Sequence, residues 1–195
     1  NIFYKSPYMK TDFTVGTIKS IESHNGIECM IDAAQIIVNE YGISKIKFLI
    51  IGDGLLLDDM KKKTKKLKLE SYVNFEGEVP SKKVVEFLNK LSVFVAVSTR
   101  ESFGVSVLEA SACEIPCITS DVGGLPEVNK NNQSGYLIPA QNPKLLAEKI
   151  LVFYKNRELA SKMGQKGRKR VLKNFSLQSS IKKMVKVYED ALSSL

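Results

Sequence analysis

Two short segments, Lys47–Ile51 (KFLII) and Val93–Ser98 (VFVAVS), are apolar at nearly every position and rich in β-branched or aromatic residues. A strand with one wet face alternates apolar and polar side chains. A strand without that alternation must be covered on both faces, as parallel strands are. Parallel neighbours cannot be joined by a tight turn and need a crossover, usually a helix. The rest of the sequence supplies those crossovers. Strands are expected at Phe13–Ile18, Lys47–Ile51, Val73–Glu76, Val93–Ser98, Pro116–Ser120 and Gly135–Ile138. Helical periodicity falls between them at Gly26–Tyr41, Leu56–Leu69, Ser81–Lys90, Gly104–Cys113 and Leu125–Val128. Three further helices are expected at Pro143–Lys155, Arg157–Asn174 and Leu177–Leu195. This alternation implies right-handed βαβ units and an α/β, Rossmann-like doubly wound sheet of about six parallel strands with helices on both faces. Residues 1–11 carry little pattern and read as a linker tail, which leaves 12–195 as one domain.

Composition supports a globular domain and narrows its partners. The chain has 195 residues, 44% hydrophobic and 26% charged, enough for a core without disulfide staples. No apolar run approaches the roughly 18 residues that span a bilayer. No charged-then-apolar segment of signal-peptide type opens the sequence, and Asn1 rather than Met comes first, so a piece of a longer chain is expected. Cys29, Cys113 and Cys117 match no zinc spacing, and one histidine leaves few other ligands. They read as buried thiols of a cytoplasmic protein. The formal net charge of +8 fits a nucleic-acid surface, an anionic membrane face or a site for a polyanionic small molecule. Aromatics do not interleave with the charges as single-strand binders require, which argues against nucleic acid. In Lys61–Lys68 (KKKTKKLK), Met60, Thr64 and Leu67 share one helical face. The lysines then form a solvated outer face or, alternatively, a patch for peripheral contact with the inner face of a membrane.

In a doubly wound sheet, ligands bind beyond the carboxyl ends of the strands. The fourth strand is followed by Thr99-Arg100-Glu101-Ser102-Phe103-Gly104-Val105-Ser106-Val107-Leu108-Glu109-Ala110. Ser102 is a residue type that caps helices, and the amides from Phe103 to Ser106 would form a helix start suited to phosphate. Gly104 admits close approach to the backbone. Glu101 can accept hydrogen bonds from sugar hydroxyls, and Glu109, one turn after Val105, suits a ribose diol. On spacing alone, Glu101 could equally favour the helix dipole and Glu109 be a surface charge. Other strand ends carry Gly16-Thr17-Ile18-Lys19, Gly52-Asp53-Gly54, Gly77 and Asp121-Val122-Gly123-Gly124. Lys19 could reach a phosphate. His24 reads as a surface or phosphate-side loop residue rather than a base, since no nucleophile motif accompanies it.

The order of these pieces, from Gly16 through Asn25-Gly26, Gly52-Asp53-Gly54, Phe75-Glu76-Gly77, Glu101-Ser102-Phe103-Gly104, Glu109-Ala110 and Gly123-Gly124-Leu125-Pro126-Glu127 to Ser134-Gly135-Tyr136-Leu137, resembles the C-terminal domain of glycosyltransferase family 4. These are retaining enzymes of the two-Rossmann GT-B architecture. The resemblance covers about residues 13–175. It implies that Glu101, the first glutamate of the E-x₇-E motif, is the catalytic residue at the donor sugar. It implies that Glu109 holds the ribose, and that Phe103, Gly104, Val105 and Ser106 contact sugar and distal phosphate. Gly16 and Lys19 would border the phosphates and Glu78 the base. Gly52, Gly54, Gly77, Gly123 and Gly124 would line the cleft. The family's usual arginine and lysine are replaced by Thr17 and Asn25, so Lys19 and His24 are the candidate cations.

The implied reaction is transfer of a sugar from a UDP- or GDP-sugar to a glycan or lipid-linked acceptor, as in bacterial surface-polysaccharide synthesis. No cofactor or metal is called for, because helix amides and cations can meet the charge that grows on the leaving phosphate. The resemblance places the acceptor site on an N-terminal domain that this sequence lacks. The chain alone is therefore expected to transfer little, and helix 177–195 to pack on that missing domain. A non-catalytic nucleotide-sugar-binding scaffold and a nucleotide-sugar epimerase of the same architecture are the alternatives.

Overall fold

A computed structural model describes residues 3–5 and 12–193. Its centre is one sheet of six parallel strands: β1 (Phe13–Ile18), β2 (Ile46–Ile51), β3 (Val73–Gly77), β4 (Val93–Ala96), β5 (Cys117–Ser120) and β6 (Gly135–Ile138). Their order across the sheet is β3-β2-β1-β4-β5-β6. The chain winds outward from β1 in one direction, then returns to β4 and winds outward in the other. Between β1 and β4 the helices on either side leave in opposite directions, which opens a crevice at the carboxyl edge.

Each expected helix is present: α1 (Ile27–Gln35), α2 (Leu57–Lys66), α3 (Val84–Lys90), α4 (Val105–Ala112), α5 (Leu125–Val128), α6 (Pro143–Lys155), α7 (Arg157–Asn174) and α8 (Leu177–Leu192). α1 was expected to run to Tyr41 as one helix. Instead Ile36–Glu40 forms a π turn, so the hydrogen-bond register slips there. β4 stops at Ala96 rather than Ser98. Beyond it the chain leaves the ladder, and the Thr99 amide donates to the His24 carbonyl (2.8 Å).

Period-two side-chain direction divides the two-sided strands between two cores. Phe13, Val15, Ile46, Phe48, Ile50, Val93, Val95 and Val97 face a layer built with α1 and α6. Leu49, Ile51, Phe94 and Ala96 face the other layer, built with α3, α4 and α5. β4 and β5 are buried at every position, which explains why the VFVAV segment has no polar alternation. Lys63 of α2 pairs with Glu28 (2.9 Å) and Asp32 (2.6 Å), and Met60 and Thr64 are buried. Lys61, Lys62, Lys65 and Lys66 point to solvent, the outer face expected of that run.

The tail expected at 1–11 lies largely outside the described residues. Of those that are described, Phe3 packs partly buried on the second core and Lys5 pairs with Glu114 (3.0 Å). Cys29, Cys113 and Cys117 are buried and joined by no disulfide, and burial pushes the Cys117 thiol up to about 12. α8 departs from the other helices. None of its described residues is buried, while Leu177, Ile181, Met184, Val187, Tyr188 and Leu192 are exposed apolar side chains.

Phe153 of α6 is fully buried, its ring 5.0 Å from that of Tyr136. Truncating it leaves a cavity that a tightly covered sheet cannot close. Phe153→Ala is expected to cost about 3–5 kcal/mol in urea unfolding. A loss under about 1 kcal/mol would show that this layer is not packed as described.

Candidate functional site

The crevice between β1 and β4 holds an open groove of about 540 Å³. Lys19, Ser20, His24 and Asn25 form one bank, after β1. Arg100, Glu101 and Ser102 form the other, after β4. A hollow of similar volume, about 530 Å³, lies at the opposite, amino end of β1 and β2. Lys45, Lys47 and Arg157 line it, Arg157 is already stacked over Phe13 (3.9 Å) and Tyr154 (5.3 Å), and that end of a doubly wound sheet is not where ligands bind.

Each bank is fixed by a neighbouring turn that comes closer than any side chain would allow. A Cβ on Gly123 would lie 1.7 Å from the Glu101 carbonyl oxygen, and one on Gly124 would lie 2.7 Å from the Ser102 carbonyl oxygen. The β5–α5 turn is thus seated directly against the backbone of Glu101–Phe103. Gly123 also has φ +51°, a left-handed conformation that favours glycine. On the other bank, a Cβ on Gly52 would lie 2.0 Å from the Lys19 carbonyl oxygen and one on Gly54 would lie 2.6 Å from that of Ile21. These four expected cleft glycines support the two banks from behind rather than lining the groove.

Asn25 is buried, and its amide donates to the Ser20 carbonyl (3.0 Å) and the Ser20 hydroxyl (2.8 Å). It closes the loop that carries Lys19. Thr17, at the other position where the resemblance calls for a cation, is buried within β1. The lysine on this bank of the groove is Lys19. Its Nζ donates to the Ser98 hydroxyl (2.7 Å) and to the Glu101 carboxylate across the groove. Lys19 and Glu101, singled out separately in the sequence, therefore meet as an ion pair. Their side chains are each only 15% exposed, so solvent screens the pair less than it would at an open surface.

α4 starts beyond Glu101. The expected cap, Ser102, does not cap it. Gly104 stands at that position with φ +96°, and no side chain bonds the first turn. The reason is steric, because a Cβ there would meet Leu125 at 2.9 Å and Val128 at 3.2 Å. The first-turn amides of Val105 and Ser106 lack intrahelical acceptors by helix geometry and carry the positive end of the dipole. Phe103 is partly exposed and rests edge-on against Phe175, with ring centres 6.0 Å apart. Glu109 is half-buried one turn along α4, and burial raises its carboxyl above the ordinary carboxylate value.

Three expected donor-site positions stand apart. Gly16 is buried within β1, where a Cβ would meet the Leu91 side chain at 2.4 Å, so its role is packing. Gly77 ends β3 at the sheet edge, and Glu78 follows it, exposed outside the groove. Two residues were not singled out by the sequence. Arg100 adds a cation to the groove, and buried Ser98 holds the Lys19 amine while its own carbonyl accepts from the Ser120 hydroxyl (2.6 Å). Their position just after a buried strand was the only signal available.

The model of the family "Glycosyl transferases group 1" matches residues 1–170. The chain belongs to this family. Among curated group 1 relatives, N-acetyl-alpha-D-glucosaminyl L-malate synthase of Bacillus anthracis is 33% identical over 75% of this chain and 38% of its own length. Poly(ribitol-phosphate) alpha-N-acetylglucosaminyltransferase of Staphylococcus aureus is 28% identical over 93% of the chain and 36% of its own. The chain thus spans little more than a third of the length of these relatives. Among solved structures, a variant of TarM of S. aureus in complex with fondaparinux, alpha-GlcNAc-glycerol and UDP superposes with a TM-score of 0.85. It is 26% identical, over 96% of this chain and 38% of that one. The six-stranded parallel sheet is that of the GT-B glycosyltransferases.

Gly123→Ala is expected to unfold at lower denaturant than Gly42→Ala. Both glycines have positive φ, but nothing lies within 4 Å of a Cβ at Gly42. The difference, about 1–3 kcal/mol of overpacking, isolates the backbone approach from the φ effect. Equal losses would remove the support assigned to the β5–α5 turn. Glu109 gives a pH test. A carboxyl with a raised folded pKa contributes instability as pH rises through that value, because the ionised form is desolvated only in the folded state. Glu109→Gln is therefore expected to gain stability at neutral pH, with the gain fading as pH falls from the raised value toward the ordinary carboxylate value and absent below it. A gain independent of pH would refute burial as its cause.

Proposed function

We propose that this chain is the donor-binding half of a retaining family 4 glycosyltransferase of hexosyltransferase type. It moves a sugar from a UDP- or GDP-sugar to a glycan or lipid-linked acceptor in surface polysaccharide biosynthesis. The observation that carries the reading is the meeting of Lys19, Arg100 and Glu101 at the sheet's switch point, beside the start of α4. That arrangement offers cations and amides to a diphosphate and a carboxylate to sugar hydroxyls. The activities of the two relatives, both concerning N-acetylglucosaminyl groups by name, agree with it.

Each residue has a role in this reading. The amides of Val105 and Ser106 and the ammonium of Lys19 meet the negative charge that grows on the leaving phosphate as the glycosidic bond breaks. Groups already in place serve this better than water, which must reorient. Phe103 and Gly104 shape the sugar's approach, and Glu101 contacts the sugar. Glu109 holds the ribose, and its half-buried carboxylate gains most from hydroxyl donors. No metal is called for. The acceptor binds on an N-terminal half outside this sequence. α8, with its unpartnered apolar stripe, packs on that half in the whole protein. The reading places the enzyme in the cytoplasm, with peripheral contact at the inner membrane face. Among the described residues, no helix is long and apolar enough to cross a membrane.

The internal roles of Thr17 and Asn25 favour a second reading, a scaffold that binds nucleotide sugars without transfer. A thermal-shift panel of UDP-, GDP- and ADP-sugars separates the cases. One matched donor at 100 times its dissociation constant is expected to stabilise the chain by about 2.7 kcal/mol, raising Tm. Silence toward every donor defeats the donor-site reading. Binding without any transfer by the whole protein, given its acceptor, favours the scaffold.

A further inference from the structure

Lys19 and Glu101 restrain each other. An ammonium has three N–H donors, and two of those on Lys19 are engaged, one by Ser98 and one by Glu101. The Ser98 contact is fixed, since Ser98 is fully buried and tied to β5 through Ser120. The Glu101 contact is not fixed in the same way. The Glu101 side chain reaches across an open groove, and its carboxylate can accept from any donor placed there. With the groove empty, Lys19 and Glu101 cancel as charges, and an incoming phosphate meets a neutral pair on this side.

A sugar changes that balance. Each hydroxyl that donates to Glu101 competes with Lys19 for the same carboxylate oxygens. As the carboxylate turns to the sugar, the Lys19 field becomes available to the phosphate, while Ser98 keeps the amine in position. A nucleoside diphosphate without sugar offers no such donor, and Glu101 stays on Lys19. Building on the donor-site reading, we propose that Glu101 is an internal counter-ion that couples the phosphate grip of Lys19 to the presence of a sugar. The groove thereby favours the loaded nucleotide sugar over the spent nucleoside diphosphate. After transfer, Glu101 returns to Lys19 and weakens retention of the product.

The coupling has a definite sign. Glu101→Gln removes the counter-charge, so the bare nucleotide should bind tighter while the nucleotide sugar gains nothing. Calorimetry at low salt on this chain, with UDP against UDP-GlcNAc and GDP against GDP-mannose, reads it directly. For the pair that binds, Glu101→Gln is expected to tighten the bare nucleotide roughly tenfold, the scale of coupling between contacting charges. The preference for the sugar-bearing form should then collapse. In a Lys19→Met background, which keeps the aliphatic stem, adding Glu101→Gln should change nucleotide affinity less than about twofold, since the coupling partner is gone. An unchanged affinity of Glu101→Gln for the bare nucleotide overturns the proposal. So does equal tightening of both ligands, or the same tightening without Lys19, because a general charge effect would do that. In each of these outcomes the wild-type chain still binds and the donor-site reading stands. Silence of the wild type toward both pairs defeats the donor site and this coupling together.

Discussion

Both banks of the groove depend on backbone packed against backbone. Gly123 and Gly124 bring the β5–α5 turn under Glu101–Phe103, and Gly52 and Gly54 bring the β2–α2 turn under Lys19–Ile21. Any side chain at these four positions would push the turns away by its own radius. The consequence is rigidity where chemistry needs it. Lys19 and Glu101 project from loops, yet each loop is held by the strand end beside it. A site of fixed charges and dipoles stabilises developing charge only if it does not relax to meet it.

The sheet order sets which loops can cooperate. Because β1 and β4 are neighbours at the reversal of strand order, a lysine at position 19 and a glutamate at position 101 become partners despite being 82 positions apart. The same order keeps β3 at the edge, which is why Gly77 and Glu78 lie away from the groove. Charge follows the same logic. The lysines of α2 are solvated or tied to Glu28 and Asp32, so the net positive charge of the chain is not a map of its binding site.

Much of the fold was legible because burial on both sides of a parallel sheet writes itself plainly. Residues such as Phe94, Val95 and Ala96 leave no polar alternation to read otherwise. Element ends were less legible where tertiary contacts decided them. Nothing local predicts that β4 stops at Ala96 or that the Thr99 amide beyond it bonds the His24 carbonyl from a distant loop. Ser102 looked like a cap by type, but Gly104 stands at the N-cap, where a Cβ would meet Leu125 and Val128. At the site, residue types identified Glu101 and Lys19 individually. Their pairing, the anchoring by Ser98 and the loop closure by Asn25 depend on distances between segments, which one sequence does not contain. Gly16 was misleading in the opposite sense. A glycine near a strand end reads as a site for close ligand approach, whereas Leu91 fills that space.

A nucleotide sugar held as proposed lies at the carboxyl edge between β1 and β4. Amide chemical-shift mapping on the isotope-labelled chain during titration with its nucleotide tests this most directly. The largest changes are expected at Lys19, Ser20, Arg100 and Glu101 and at the α4 start, Gly104–Ser106, with Ser44–Lys47 at the opposite edge unaffected. Changes centred on Ser44–Lys47 and Arg157, with the β1–β4 crevice silent, would contradict it.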